Sequence, residues 1–77
     1  MINNRDEKIL KLFGEHLRHI RKTKNLSQQK LELLSGISKN QVGNIERGEV
    51  NITLITAIAI SKGLDIEVKE LYDFVAI

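Results

Sequence analysis

The sequence contains no cysteine, no proline and no tryptophan, and only two phenylalanines and one tyrosine among its 77 residues. Without cysteine there is no disulfide framework, no thiolate zinc site and no thiol nucleophile, which fits a reducing compartment. No apolar run approaches the roughly 20 residues of a membrane span. The opening Met1-Ile2-Asn3-Asn4-Arg5-Asp6 lacks the apolar core of a signal peptide. The expected location is therefore the cytoplasm. What the chain does have is 42% hydrophobic residues, enough for one packed core without a metal or a disulfide. Residues 1–77 are read as one domain.

The formal net charge of +2 conceals an uneven distribution. Residues 1–48 carry ten Lys/Arg against five Asp/Glu, and residues 49–77 carry two against five. A basic front and an acidic back fit a face for a polyanion and a face for protein or water. Uneven charge alone does not distinguish a nucleic-acid binder from an ordinary small domain.

Apolar residues mark out five helices and no strand. From Lys8 to Lys24, Ile9, Leu10, Phe13, Leu17 and Ile20 recur at spacings of three and four. Asn25 suits the left-handed residue that closes a helix, and Ser27 is an N-cap for a short helix through Leu34. After the break at Ser35-Gly36, the run Ser38-Lys39-Asn40-Gln41 reads as an S-x-x-Q capping box opening a third helix toward Arg47. Thr53 can cap a fourth helix, with Leu54, Ala57, Ile58 and Ser61 as its repeating face and Gly63 as its C-terminal cap. A last helix is expected from Val68 to about Phe74.

Two short helices joined across a glycine turn form a helix-turn-helix, here Ser27 to Gly48, whose second helix enters the major groove of DNA. At about 100° per residue, Val42, Ile45 and Glu46 fall on one side of that helix, and Asn40, Gly43, Asn44 and Arg47 on the other. Asn40 and Asn44 are spaced to present their amides together, and an asparagine amide can pair with the N6 and N7 edge of adenine. A mid-helix Gly43 costs roughly 1 kcal/mol relative to alanine, which points to a close approach, with DNA as the candidate.

The ordered set Leu17-Arg18, Arg21, Leu26-Ser27-Gln28, Leu31, Ser35-Gly36-Ile37-Ser38, Ile45-Glu46-Arg47-Gly48, Leu54 and Ile58 resembles the phage-repressor and Cro-type helix-turn-helix regulators, the XRE family. The resemblance covers about residues 9–72 and implies an all-α, five-helix, lambda-repressor-like domain. It implies that Lys39, Asn40, Gln41 and Asn44 reach bases, that Gln28 binds a phosphate, and that Arg21 and Glu46 form a structural ion pair. Arg47 and Asn51 complete the expected phosphate contacts. Three positions depart from the family pattern: Glu32 where alanine is usual, Ile52 where proline is common, and Gly43 where a side chain often adds a contact.

Other chemistry has thinner support. His16 and His19 lie one turn apart but have no third ligand, so no metal and no cofactor is expected. Ser27 and Ser38 stand where helix caps are required, without the glycine-rich elbow of a nucleophile. Residues 52–60 lack the basic face of a membrane-surface helix and read as core. No phosphate loop, triad or carboxylate pair marks an enzyme. Double-stranded DNA is the expected partner, with a homodimer through Leu71, Phe74, Val75 and Ile77, unless that tail folds back on its own core. No small-molecule effector is expected. The alternative is an interaction module, antitoxin-like or bridging, whose main partner is a protein.

Overall fold

A computed structural model describes residues 6–74 of the chain. Five helices follow one another: α1 Glu7–Thr23, α2 Gln28–Ser35, α3 Gln41–Glu46, α4 Leu54–Leu64 and α5 Val68–Leu71. There is no strand among the described residues.

The chain's polar punctuation explains most of these boundaries. Asp6 accepts the Ile9 amide at 3.1 Å, and Arg21 and Lys22 occupy the last turn of α1, where cations meet the negative end of the helix dipole. Asn25, at φ 57°, turns the chain out of α1, and Ser27 caps α2 by accepting the Lys30 amide at 3.0 Å. Gly36 closes α2 in the left-handed region at φ 71°, where a side chain is strained. Thr53 caps α4 through the Thr56 amide at 3.1 Å.

Four expectations about the elements need correcting. The capping box at Ser38 does not form. Ser38 to Asn40 make a turn with Asn40 at φ 70°, so α3 begins three residues later, at Gln41, and Asn40 gives it no side-chain cap. An asparagine tolerates that left-handed geometry, so the chain can turn sharply there before the helix starts. Gly63 does not cap α4; Asp65 does, at φ 58°. Gly63 lies inside the helix because a Cβ there would sit 2.3 Å from Ser35 Oγ and crowd the Leu31 side chain. The buried face of α4 is Ala57, Ile60, Ser61 and Leu64, which leaves Leu54 and Ile58 exposed. This helix is apolar almost all round, so spacing alone could not select its inner side. Finally, α5 stops at Leu71 rather than Phe74.

Phe13 and Leu17 of α1, Leu31 of α2, Val42 and Ile45 of α3, Ala57, Ile60 and Leu64 of α4 and Leu71 of α5 form one core. Leu71 has no exposed surface, so it belongs to this core and cannot be the dimer contact expected of it. Burying it releases about 1.5–3 kcal/mol, which ties α5 to the body. Phe74 is half-buried, edge-on to Phe13 with ring centres 5.7 Å apart and tilted on His16 at 5.9 Å. Val75 and Ile77, expected at the same contact, lie outside the described residues.

Candidate nucleic-acid interface

One carboxylate fixes α3 against two other helices. Arg21 of α1 donates from Nε to Glu46 Oε2 at 2.6 Å and from Nη2 to Oε1 at 3.1 Å, and its Nη1 donates to the Leu26 carbonyl at 2.7 Å. Gln28, the first residue of α2, donates to the same Glu46 Oε1 at 2.9 Å. The two charged side chains are 9% and 4% exposed. Such a pair is harmless only while complete, because loss of one partner strands a desolvated charge. Two more contacts set the position of α3. Gly14 lets α1 touch its last turn: a Cβ there would lie 2.5 Å from the carbonyl oxygens of both Ile45 and Glu46. At the other end, the buried Glu32 of α2 accepts the Val42 amide at 3.0 Å. Glu32 thus supplies from a neighbouring helix the cap that Ser38 and Asn40 do not, at the end of α3 where a negative charge is favoured. An acid in place of the family's alanine has this local account.

With Val42, Ile45 and Glu46 facing inward, the other side of α3 is left outward. Gln41 and Asn44 are half-exposed, and Lys39, Asn40, Arg47 and Asn51 are exposed. Gln28, Gln29, Glu32, Asn40, Asn44 and Arg47 line a shallow depression of about 190 Å³ between α2 and α3, with Gly43 at its floor. The structure therefore brings six of the seven residues expected to touch DNA to the start of α2, α3 and the turns that flank α3, with Asn51 in the loop beyond. Lys39 and Asn40 precede α3 instead of riding on it. A Cβ on Gly43 would approach Arg47 Nη1 at 3.2 Å and Gln28 Oε1 at 3.3 Å, the ends of two flexible side chains that can give way by a few tenths of an ångström.

Sequence reasoning missed the acid beside this surface. Arg47 donates from Nε to Glu49 Oε2 at 2.8 Å and from Nη2 to Asn44 Oδ1. The hydrogen bond to Glu49, then its charge, raises the Arg47 pKa, and the same hydrogen bond lowers that of Glu49. Both side chains are more than half exposed, so the pair adds little to stability. Its importance is positional, since it holds the cation that a phosphate would otherwise attract. The signal available was the two-residue separation of Arg47 and Glu49 across a glycine turn. His16 and His19 do not converge with a third ligand: His16 Nε2 lies 2.9 Å from the Glu70 carbonyl oxygen, and no cluster suited to a metal occurs among the described residues.

A short helix joined across a glycine turn to a second helix, with the inner side of the second locked and its outer side polar, defines a DNA-binding regulator of the helix-turn-helix class. Residues 17–71 match the helix-turn-helix family, and the chain belongs to it. It is similar to control protein C.BamHI of Bacillus amyloliquefaciens, with 40% identity over 67 residues that cover 86% of this chain and 83% of that protein. Control protein C.SmaI of Serratia marcescens is 38% identical over 63 residues, 82% of this chain and 75% of that one. Among solved structures, the restriction-modification controller protein C.AhdI from Aeromonas hydrophila has a TM-score of 0.78 at 44% identity, covering 80% of this chain and 94% of its own. None of the described helices is long and apolar enough to cross a membrane.

Proposed function

We propose that this chain is a restriction-modification controller, a transcriptional regulator that binds a two-part operator as a homodimer and acts in the cytoplasm. The observation that carries this reading is the two-sidedness of α3, with Glu46 tied inward to Arg21 and Gln28 while Gln41 and Asn44 face outward. The likeness to three controller proteins supplies the biological setting.

In this reading α3 lies in the major groove. Gln41 and Asn44, with Lys39 and Asn40 at the leading turn, meet base edges, where amides can bond bidentately to adenine and a lysine to guanine. Arg47, Asn51 and the remaining amide hydrogen of Gln28 meet phosphates, which set register without reading sequence. Arg47 must leave Glu49 and Asn44 to do so. Its departure frees Asn44 Oδ1, the acceptor needed to complete a bidentate adenine pair, so backbone engagement and base reading are coupled through one side chain. The activity is binding, and the proposal assigns no catalytic residue. One short helix makes few contacts, so two copies on one site are needed for high affinity.

Selection of bound duplexes from a random pool, followed by titration of the selected site at several salt concentrations, tests the reading. The expected result is a pseudo-palindrome with half-sites about 10 base pairs apart, bound with an affinity that falls steeply as salt rises. A pool that shows no enrichment would overturn it.

A further inference from the structure

The turn that follows α3 is built on the first turns of α1. Gly48, left-handed at φ 77°, lies so close to Lys11 that a Cβ there would sit 2.7 Å from the Lys11 Cγ and 3.0 Å from its Cα and amide nitrogen. Val50, Asn51 and Ile52 then run past Ile9, Leu10 and Phe13, with which they border a second depression. Lys11 therefore stands beside Gly48, between Arg47 on one side in the chain and Asn51 on the other. Its side chain is exposed. The ion pairs among the described residues, Arg21 with Glu46, Arg47 with Glu49 and Lys69 with Glu67, leave Lys11 without an acid.

This cation is not isolated. At about 100° per residue, Lys8, Lys11, Glu15, Arg18 and Lys22 fall within about 80° of one another around α1, and all five are exposed. Gly14 and Arg21, through which α1 meets α3, lie about 60–80° from Lys11 on one side. The stripe thus borders the contact with α3. Four cations against one acid make it an edge that attracts a polyanion.

We infer that this edge of α1 extends the DNA interface, with Lys11 binding a backbone phosphate next to those met by Arg47 and Asn51, and with Arg18 and Lys22 continuing the positive field. The inference rests on the DNA-binding reading above and adds a helix to which that reading gave no contact.

Two considerations favour a duplex as the occupant. The first is continuity, since Lys11 packs on the residue that follows Arg47, at the end of the helix that faces the groove. The second is charge. Once Arg47 turns to the backbone, Glu49 is left facing the approaching strand, and a lysine on the other side of Gly48 offsets its repulsion. An ammonium on a flexible stem meets a phosphate as a point charge, without the planar geometry that a base edge demands. Such a contact adds affinity on any sequence.

Lys11→Gln removes the charge and keeps the Cγ that packs on Gly48, so the fold is retained, as melting followed by circular dichroism verifies. Lys24→Gln is the control: it removes the same charge from the side of α1 where Lys24 borders a depression with Ile66, Glu70 and Asp73. Each protein is titrated onto the selected operator and onto random duplex at several salt concentrations, and onto operators carrying single neutral methylphosphonates. Lys11→Gln should lose roughly five- to tenfold in affinity at about 0.1 M salt on both DNAs, and its salt slope should fall in magnitude by about one per bound copy. Lys11→Arg should restore most of both, and Lys24→Gln should keep the parental slope. In each half-site, one phosphate should be found whose neutralisation weakens the parent and not Lys11→Gln. A parental slope in Lys11→Gln, or equal sensitivity of the two proteins at every phosphate, overturns the contact while selective binding by the parent still upholds the DNA-binding reading. A parent that enriches no sequence overturns that reading and this contact together. Loss of poly-glutamate binding in Lys11→Gln with DNA binding intact overturns the contact in favour of an acidic protein.

Discussion

Asn44 and Arg47 are one turn apart on the same side of α3, yet their substitution should give different binding profiles. Asn44→Ala should cost about 1–3 kcal/mol on the selected operator and leave random DNA nearly unaffected, because a base contact carries sequence information. Equal losses in a competition titration against both DNAs would remove Asn44 from the base-reading set. Arg47→Ala should weaken every sequence alike and reduce the magnitude of the salt slope by about one per bound copy, since its target is a phosphate. Glu49 gives this pair a pH dependence. Its carboxyl titrates below the ordinary carboxylate range because Arg47 bonds to the charged form. The small contribution of the pair to folding is present above the unfolded carboxylate pKa of about 4 and is lost as pH falls through the lower folded value. DNA binding should run the other way: phosphates near Glu49 favour its protonated form, so affinity rises as the solution is acidified toward that range. Glu49→Gln should bind more tightly at pH 7 and flatten the rise, as read by titration at fixed ionic strength. An unchanged affinity at pH 7 would mean that Arg47 does not leave Glu49 for the backbone.

At the scale of the helices, stability and orientation of α3 depend on Arg21, Gly14 and Glu32. Arg21→Ala should lower stability by about 3–5 kcal/mol, since Glu46 would remain buried without its cation, and an Arg21→Met/Glu46→Leu double change should recover much of the loss. Urea unfolding of the three proteins decides; a single variant as stable as the parent would mean that the pair contributes nothing. Gly14→Ala should cost about 3 kcal/mol, because the added methyl meets backbone carbonyls that cannot rotate away. For Glu32, alanine should cost roughly 1–2 kcal/mol through loss of the cap, and glutamine, which keeps an acceptor, much less. Faster exchange of the Val42 amide in Glu32→Ala than in Glu32→Gln is the local signature.

The helices were legible in the sequence wherever a polar cap and a one-sided apolar pattern coincided. Asn25, Ser27 and Thr53 act at the boundaries as read, and Phe13 and Leu17 face the core as their spacing requires. What failed was what depends on a second element. Ser38-x-x-Gln41 has the composition of a capping box, but a carboxylate ten residues away takes over the cap of α3. Gly63 has the look of a terminator because nothing in the sequence reveals that α2 will lie against it. The outward amide of Asn44 was legible from helical phase, whereas Gln41 came from family resemblance. Of the residues that the same phase put beside Asn44, Asn40 stands in the turn before α3 and Gly43 is buried. The ion pair came from family resemblance, and Glu49 required the path of a loop.

Across the whole molecule, the uneven charge and the uneven hydrophobicity describe different surfaces. The basic front half contains all of α1 to α3, including Lys39 and Arg47. An exposed apolar patch of Leu33, Leu34, Leu54, Ile55 and Ile58 straddles the end of α2 and the outer side of α4. Reading Leu71 and the tail as the contact rested on crowding of apolar residues near one end of the chain. Of those residues Leu71 is taken by the core and Phe74 packs partly against Phe13, while Val75 and Ile77 lie outside the described residues. Excess apolar surface shows in the folded chain only after the core has taken its share, and in α4, apolar on every side, the sequence gives no means of dividing the two.

The division of α3 also bears on how such a regulator changes over generations. Arg21, Gln28 and Glu46 share one carboxylate, so a substitution at any of the three alters the environment of the others and the route from one working combination to another passes through broken intermediates. Gln41, Lys39 and Asn40 lie outside that network and outside the core, so they can vary with little penalty to folding. Operator preference can therefore drift one residue at a time while the scaffold stays fixed. Two descendants of this chain could cease to recognise each other's operators long before their folds diverge.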